Sequence, residues 1–304
     1  MSSSPIETPT RELPSSRELS RMLGVSLTVI STIAVLAVLY ERNATVHETL
    51  IAVAVGLHAE SFWSAAFVGL LAQAVDGALG MAYGVTSTAF LLSTGVPPAA
   101  ASASVHMAEV FTTGLSGLSH WRLGNVNRAL FKRLLIPGVL GAVLGAYILT
   151  SFDGKAIKPW ISGYLLLMGL YILTKAFRPI VVTVEPPTYL APLALTGGFV
   201  DAVGGGGWGP VVTTSLIGSG QEPRRVIGSV NAAEFFIALA GGISLTMMSG
   251  LTVWTTIAGL VSGGLFAAPV AAMLAKHAPA KLLLVSVGLL ISSISAHNLW
   301  KVWH

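Results

Sequence analysis

The chain has 304 residues, of which 53% are hydrophobic and only 10% are charged, and its mean hydropathy is +0.76. An average soluble protein carries about 25% charged residues, so this composition excludes a disordered chain, a nucleic-acid-binding protein and an ordinary soluble enzyme. The formal net charge of +4 is small and indicates cytoplasmic loops rather than a partner-binding face. The lack of cysteine excludes disulfides, thiol catalysis and cysteine-ligated metals.

The first sixty residues divide into three predicted segments. Residues 1–21 are rich in Ser, Pro and Glu and are predicted to form a disordered cytoplasmic tail. Residues 22–40 form an apolar run without a clear signal-peptidase site, which predicts an extra N-terminal transmembrane helix. Residues 41–60 contain an apolar stretch that is too short to span a bilayer, so we expect an external or interfacial segment.

A close succession of apolar runs follows from residue 61, and each run predicts a helix. The runs cover residues 61–83, 85–95, 98–121, 134–151, 157–176, 189–207, 210–218, 225–248, 251–274 and 280–300. Two of them, 85–95 and 210–218, are too short to cross a hydrocarbon core of about 30 Å. Each of these two follows a glycine-rich break, at residues 80–84 and 204–209. A helix, a break and a short helix predict a hairpin that turns inside the membrane, where protein or a cavity covers the backbone.

The chain repeats itself with an offset of 125 residues. Between residues 75–111 and 200–236, 13 of 37 aligned residues are identical. The matches include aligned Asp, Glu, Pro and Gly, which apolar composition alone does not readily produce: Asp76/Asp201, Gly80/Gly205, Gly84/Gly209, Pro98/Pro223, Ser104/Ser229 and Glu109/Glu234. The repeat predicts two transmembrane units, residues 61–178 and 188–302.

Loop charges predict that the two repeats have opposite orientations. The loop at residues 122–133 holds four basic residues and is expected to be cytoplasmic, whereas its counterpart at 249–250 has no charge and is expected to face outward. The N-terminus is then cytoplasmic and the C-terminus external. The predicted fold class is an all-α integral membrane protein, a polytopic helix bundle of two inverted repeats with Gly-broken intramembrane hairpins and one extra N-terminal helix. Such inverted repeats are typical of transporters.

Away from the edges of the predicted spans, four carboxylates are the only charged residues, and they occupy equivalent places in the two repeats: Asp76, Glu109, Asp201 and Glu234. A charge at the bilayer centre costs about 3 kcal/mol on insertion scales, which disfavours lipid-facing positions for all four. They either cap half-helices and bind backbone amides, or carry a proton or hold a cation during transport. His106 shares a helix face with Glu109 and is a candidate proton relay, although a packing role is equally open. The second repeat has Asn231 in its place.

The glycine breaks are candidate anion-binding sites, because free amides at a break and a helix N-terminus attract an oxyanion. Tyr83 and Trp208 are equivalent bulky residues that are candidate gates. Close helix packing by small residues is the alternative explanation of the glycines. The predicted substrate-binding residues are Gly80, Tyr83, Gly84, Thr86, Ser87 and Thr88 in the first repeat, Gly205, Gly206, Gly207, Trp208, Gly209 and Thr213 in the second, and Ser104, Ser229 and Asn231 on the long helices.

Several segments together resemble the TauE/SafE family of sulfite exporters. They are the sequences DGALGMAYG at 76–84, VPPAA at 96–100, SVHMAE at 104–109 and SHWRLGNV at 119–126, with the glycine-rich stretch 204–234 in the second copy. The resemblance covers residues 61–300 and implies a secondary transporter of small sulfur-containing anions in a bacterial inner membrane. Many family members also have a glycine-rich run in the first copy, where this chain has Ala78, Leu79, Met81 and Ala82.

The leading hypothesis is therefore a proton-coupled transporter of sulfite-like or sulfonate-like anions. Its predicted partners are membrane lipid, the sulfur anion and a coupling proton, without nucleic acid, and a homodimer stays open. No cofactor, no resident metal and no catalytic residue are predicted. The alternative is a cation or metal transporter that uses the buried carboxylates as ligands. An intramembrane enzyme is disfavoured because no nucleophile and base occur at motif spacing.

Overall fold

The computed structural model describes residues 59–79, 81–177, 189–250, 253–277 and 280–303. These residues form ten α-helices, one π-helical turn and no strand, so the prediction of an all-α protein is confirmed for them. The predicted tail at 1–21, the extra helix at 22–40 and nearly all of segment 41–60 lie outside the described residues.

The order of the helices recurs along the chain. The first half contains α1 (Glu60–Leu79), α2 (Tyr83–Ser93), α3 (Pro98–Arg122), α4 (Arg128–Ser151) and α5 (Gly154–Lys175). The second half contains α6 (Leu190–Gly204), the π turn (Gly209–Thr213), α7 (Thr214–Gly218), α8 (Pro223–Ser249), α9 (Trp254–His277) and α10 (Ala280–Trp303). The π turn and α7 together stand where the first half has α2. The predicted offset of 125 residues thus recurs in the helix boundaries, for example between Pro98 and Pro223.

Local chemistry sets several helix ends. Pro98 and Pro223 begin α3 and α8, where a helix does not need their missing N–H. The Asn127 side chain accepts hydrogen bonds from the N–H groups of Ala129 and Leu130 and caps α4. Because of this cap, α4 begins at Arg128, six residues before the apolar run predicted at 134–151. Its first turns are basic, so hydropathy alone does not detect them.

Two predicted helices are too long at their C-termini. The run 61–83 gives a helix that ends at Leu79, and the run 189–207 gives a helix that ends at Gly204. Hydropathy continues across both breaks because their Gly, Ala and Met residues count as apolar. The backbone nevertheless leaves the helical region, with φ of +92° at Ala82, +65° at Gly205 and +152° at Gly206.

Equivalent helices of the two halves pack antiparallel. Along α3, Gly114 and then Gly117 approach Phe235 and then Ala232 on α8, so the contact moves backwards along α8. The same holds for α5 and α10, where Gly169 contacts Ser292, and Leu173, one turn further on, contacts Gly288. Glycine at these contacts allows the helices to approach closely.

Non-equivalent helices pack in parallel across the two halves. On α9, Gly259 and Gly263 contact the α1 backbone at Phe62 and then Ala66. On α4, the same spacing recurs, because Gly141 and Gly145 contact the α6 backbone at Leu195 and then Phe199. Helix α1 of the first half therefore lies against α9 of the second, and α4 lies against α6. Helices from both halves thus form the packed bundle together.

The surface is apolar and the interior is rich in polar groups. Trp160 and Met247 are 80% and 79% exposed, whereas Glu109 and Asp201 are 2% and 1% exposed. Exposed apolar area on this scale indicates lipid surroundings. Within the described ranges, α4, α5 and α8 are long and apolar enough to cross a membrane, and shorter apolar helices occupy 190–204, 209–218 and 254–267.

Candidate functional site

The two breaks meet in the buried centre of the molecule, at Gly84 and Gly206. A Cβ atom added to Gly84 would lie 2.6 Å from the Cα of Gly206, and one added to Gly206 would overlap the backbone of Gly84 and Val85. The hydroxyl of Thr88 donates a hydrogen bond to the carbonyl of Gly205, and the Tyr164 hydroxyl donates to the carbonyl of Gly206 at 2.8 Å. The two halves are thus in backbone contact at the predicted substrate-binding glycines. Gly80 lies outside the described residues.

An aspartate holds each break in shape. The Asp201 carboxylate accepts a hydrogen bond from the N–H of Trp208, seven residues later, at 2.9 Å, and its backbone carbonyl accepts the N–H of Gly206 at 2.9 Å. In the first half, the Asp76 carboxylate accepts the backbone N–H of Tyr83, which is the equivalent residue. Asp76 and Asp201 therefore satisfy amides that the interrupted helix leaves free.

Four predicted hydroxyl groups are buried without a hydrogen-bond partner, and they lie on the elements that form the site. They are the hydroxyls of Thr86, Ser87, Ser104 and Thr213. A buried hydroxyl without a partner costs about 1–3 kcal/mol. These groups are therefore suited to bind a polar ligand that enters the interior.

Three other predicted residues make hydrogen bonds to backbone groups of neighbouring elements. The Ser229 hydroxyl accepts the N–H of Asn127 at 2.8 Å and donates to the carbonyl of Arg225 at 2.7 Å, at the start of α4. Tyr83 donates to the carbonyl of Leu260 at 3.2 Å. The Trp208 indole donates to the carbonyl of Val230 at 3.3 Å and is fully buried. Both aromatic rings are thus packed in the core.

Gly207 and Gly209 belong to the second break. Gly207 lies against the Tyr164 hydroxyl, where an added Cβ atom would come within 2.5 Å. Gly209 is buried and begins the π turn.

The long helices bring two buried glutamates to the same region. Glu109 borders the break contact, because its Oε1 lies 2.8 Å from the position of a Cβ atom on Gly84. Glu234, its equivalent on α8, is 8% exposed, whereas Asp76 is only partly buried. The charges of Asp201, Glu234 and Asp76 all act on Glu109, so the four carboxylates form one interacting group.

His106 joins this group, and its counterpart Asn231 does not. The His106 Nε2 lies 3.3 Å from Asp201 Oδ2, and Nδ1 lies 2.8 Å from the carbonyl oxygen of Ser102. Ligand atoms of His106, Glu109 and Asp201 all lie within 4.8 Å of one another, so one cation could contact all three. Asn231 instead donates to the Ser116 hydroxyl at 2.8 Å.

Sequence reasoning missed two contributors to the site. Ser102 lies one helical turn before His106, so its position on the same helix face was a usable signal. Its hydroxyl donates to the carbonyl of Ala202 at 2.6 Å, next to Asp201. Tyr164 lies in the middle of an apolar run on α5, and only the packing of α5 against the second break reveals its contact with Gly206.

Comparison with known proteins places this arrangement in a family. The model of the family described as sulfite exporter TauE/SafE matches residues 65–297. The chain belongs to the TauE/SafE family. It is 44% identical over 247 residues to the probable membrane transporter protein YtnM of Bacillus subtilis (strain 168), which covers 78% of this chain and 82% of that protein. It is 26% identical over 176 residues to the probable membrane transporter protein ORF9 of Sinorhizobium sp, covering 58% and 62%. No solved structure gives a significant match.

The TauE/SafE match extends from α1 to α10 and includes both breaks. Membership and the two relatives confirm the family resemblance and the expectation of a membrane transporter rather than an enzyme. Together with the apolar helices, they make this chain a multi-pass membrane protein.

Proposed function

We propose that this TauE/SafE protein is a secondary transporter that moves small sulfur-containing anions, such as sulfite or sulfonates, across the bacterial inner (plasma) membrane. Transport is coupled to protons and proceeds by alternating access at the interface of two inverted repeats. The observation that carries the proposal is the buried contact between Gly84 and Gly206, with unpartnered hydroxyls on the elements around it.

Helix directions support the inverted arrangement. When successive helices cross in alternate directions, an inverted second repeat makes α3 and α8 antiparallel and makes α1 and α9 parallel. A second repeat in the same orientation would give the opposite result for both pairs. The observed contacts agree with inversion in both cases. In inverted-repeat transporters the substrate lies at the repeat interface, at broken helices.

The breaks supply the groups that an oxyanion needs. Helix α2 has 11 residues, about 16 Å, and its first turn lies against Gly206. The N–H groups at a helix N-terminus attract anions. The hydroxyls of Thr86 and Ser87 on α2, Ser104 on α3 and Thr213 in the π turn would donate to the remaining oxygens of sulfite.

The carboxylates supply the coupling. An anion at Gly84 lies beside the side chain of Glu109 and near the charge of Asp201, and like charges repel strongly in a buried site. Binding of a proton in this group removes part of the repulsion. Anion and proton are then taken up together, with Glu109 and Glu234 as the acidic groups on the paired helices α3 and α8.

Uptake of labelled sulfite into proteoliposomes, with and without an imposed pH gradient, tests the proposal. We expect uptake that depends on the gradient and that falls at least about tenfold in Glu109→Gln or Glu234→Gln. Gly163→Ala is the matched control, since a methyl group at Gly163 meets no atom within 4 Å. If both Gln variants keep the full gradient dependence, these carboxylates have no role in coupling. If no sulfur anion moves, the substrate assignment is wrong.

Cation transport is the second candidate, and the grouping of His106, Glu109 and Asp201 within 4.8 Å favours it. The same vesicles, loaded with a metal-sensitive dye and exposed to Mn²⁺ or Zn²⁺, separate the two candidates. Metal entry without sulfite movement would replace the anion proposal.

A further inference from the structure

The contact between His106 and Asp201 joins the two halves of the chain. It is favourable only when a proton lies between the two side chains. His106 lies on α3 and Asp201 on α6, and their Nε2 and Oδ2 atoms are 3.3 Å apart. The side chains are 0% and 1% exposed, so water does not screen the contact.

The surrounding hydrogen bonds fix the positions of the other protons. The Nδ1 atom of His106 lies 2.8 Å from the Ser102 carbonyl oxygen, which only accepts hydrogen bonds, so Nδ1 carries a hydrogen. Oδ1 of Asp201 accepts the N–H of Trp208, which leaves Oδ2 facing the imidazole. A neutral imidazole with its hydrogen on Nδ1 would present a lone pair on Nε2 to a carboxylate oxygen. One additional proton between Nε2 and Oδ2 turns this repulsion into a hydrogen bond.

We propose that the His106–Asp201 pair is the proton-binding site that couples transport, and that the second half has no counterpart to it. The inference rests on the proposed function and narrows it from five candidate coupling residues to one pair. By the offset of 125 residues, the counterpart of this pair is Asn231 with Asp76. An amide does not take up a proton in this way.

The residue that contacts His106 differs from the residue that contacts Asn231, as the side chains themselves do. Gly241 on α8 lies against the imidazole, where an added Cβ atom would come within 2.8 Å of Cδ2. The equivalent residue of the first half is Ser116, whose hydroxyl accepts the Asn231 side chain at 2.8 Å. One half thus has a histidine beside a glycine, and the other has an asparagine bonded to a serine. The asymmetry is therefore built into two contacts.

The groups around the pair are acids and phenols. Glu109 lies one turn further along α3, and the charge of Asp201 acts on Glu234 of α8 and on Tyr164 of α5. Asp76 on α1 and Tyr83 on α2 act on Glu109. Glu109 has an oxygen without a hydrogen-bond partner and borders Gly84, so it is the group placed to pass a proton between the pair and the anion.

Two variants test the proposal. The first replaces the histidine–glycine contact with the asparagine–serine contact of the other half, and the second removes the acid. His106→Asn with Gly241→Ser reproduces Asn231 and Ser116, and Asp201→Asn removes the acid but keeps an oxygen for the Trp208 N–H. We measure sulfite counterflow without a pH gradient, and accumulation driven by a pH gradient. The ratio of gradient-driven accumulation to counterflow is expected to fall at least about tenfold in both variants, because coupling is lost to a greater extent than sulfite exchange. Gly163→Ala is expected to leave both unchanged.

If either variant retains counterflow and full gradient-driven accumulation, the pair is not the coupling site. If the parent moves no sulfite, the proposed function fails, and the pair is judged by the ¹⁵N spectrum of histidine-labelled protein, with His106 assigned by the double variant. An Nε2 that carries a proton or accepts a strong hydrogen bond supports the pair as a proton site. A bare Nε2 overturns it, as does binding of Mn²⁺ or Zn²⁺ that Asp201→Asn abolishes.

Discussion

The two glycine breaks turn the backbone with different residues at the positions of positive φ. In the second break, the positive φ angles fall on Gly205 and Gly206, where glycine adopts them without strain. Among the described residues of the first break, 81–84, the positive φ falls on Ala82, although an L-residue pays about 1–2 kcal/mol for this conformation. What the breaks share is an aspartate carboxylate that accepts the N–H of the residue seven positions later.

The aspartate carboxylate is therefore the feature common to both breaks, whereas glycine is needed where a neighbouring backbone or side chain leaves no room for a Cβ atom. Gly206 has no alternative because its α-carbon lies against Gly84 and Val85. Ala82 is buried in the core cluster, and its methyl group packs there. An alanine at position 82 is thus compatible with the backbone turn found there.

The largest expected effect is that of Gly206→Ala. The added methyl group would overlap the backbone of Gly84 and Val85, and the φ of +152° disfavours any residue with a Cβ atom. We expect a destabilisation of about 3 kcal/mol or more, with loss of monodisperse protein in detergent. Gly163→Ala is the control with free space around it. Thermal unfolding monitored by size-exclusion chromatography compares the two. A Gly206→Ala protein as stable as the control would show that the breaks do not touch.

Ala82 and Gly207 are equivalent by the offset of 125 residues, and exchanging the two residue types is expected to change stability by unequal, intermediate amounts. Gly207→Ala brings a methyl group to 2.5 Å from the Tyr164 hydroxyl and disturbs its bond to Gly206, which we expect to cost about 1–3 kcal/mol. Ala82→Gly removes strain but also a buried methyl worth about 0.8 kcal/mol, so its net effect is expected to be within about 1 kcal/mol. Unfolding temperatures of both variants test this order. Equal losses would mean that Ala82 is required for more than packing.

The smallest expected effects distinguish Ser104 from its equivalent Ser229. Ser229→Ala removes the acceptor of the Asn127 N–H and is expected to cost about 1 kcal/mol while sulfite uptake is retained. Ser104→Ala removes a hydroxyl that has no partner, so stability is expected to be unchanged or slightly higher. Sulfite uptake is expected to fall severalfold, because that hydroxyl is a proposed ligand group. Full uptake by Ser104→Ala would remove this residue from the site.

The sequence predicted the helices of the described residues well, because lipid-facing helices are long apolar runs and the repeat doubles the signal. The ends at the breaks were wrong, since hydropathy does not register the backbone turn at Ala82 or Gly205. Asp201 and Glu109 were identifiable as charges in an apolar run. Their partners were less accessible, because the approach of Tyr164 to Gly206 and of Gly241 to His106 depends on helices distant in the chain.

The parallel pairs α1–α9 and α4–α6 have a consequence for synthesis at the ribosome. Gly141 and Gly145 on α4 contact α6, which is translated later, and α1 waits for Gly259 and Gly263 on α9. Until the last helices are inserted, the glycine contacts that join α1 to α9 cannot form. We therefore expect a chain that stops after α5 to lack the helices against which α1 and α4 pack.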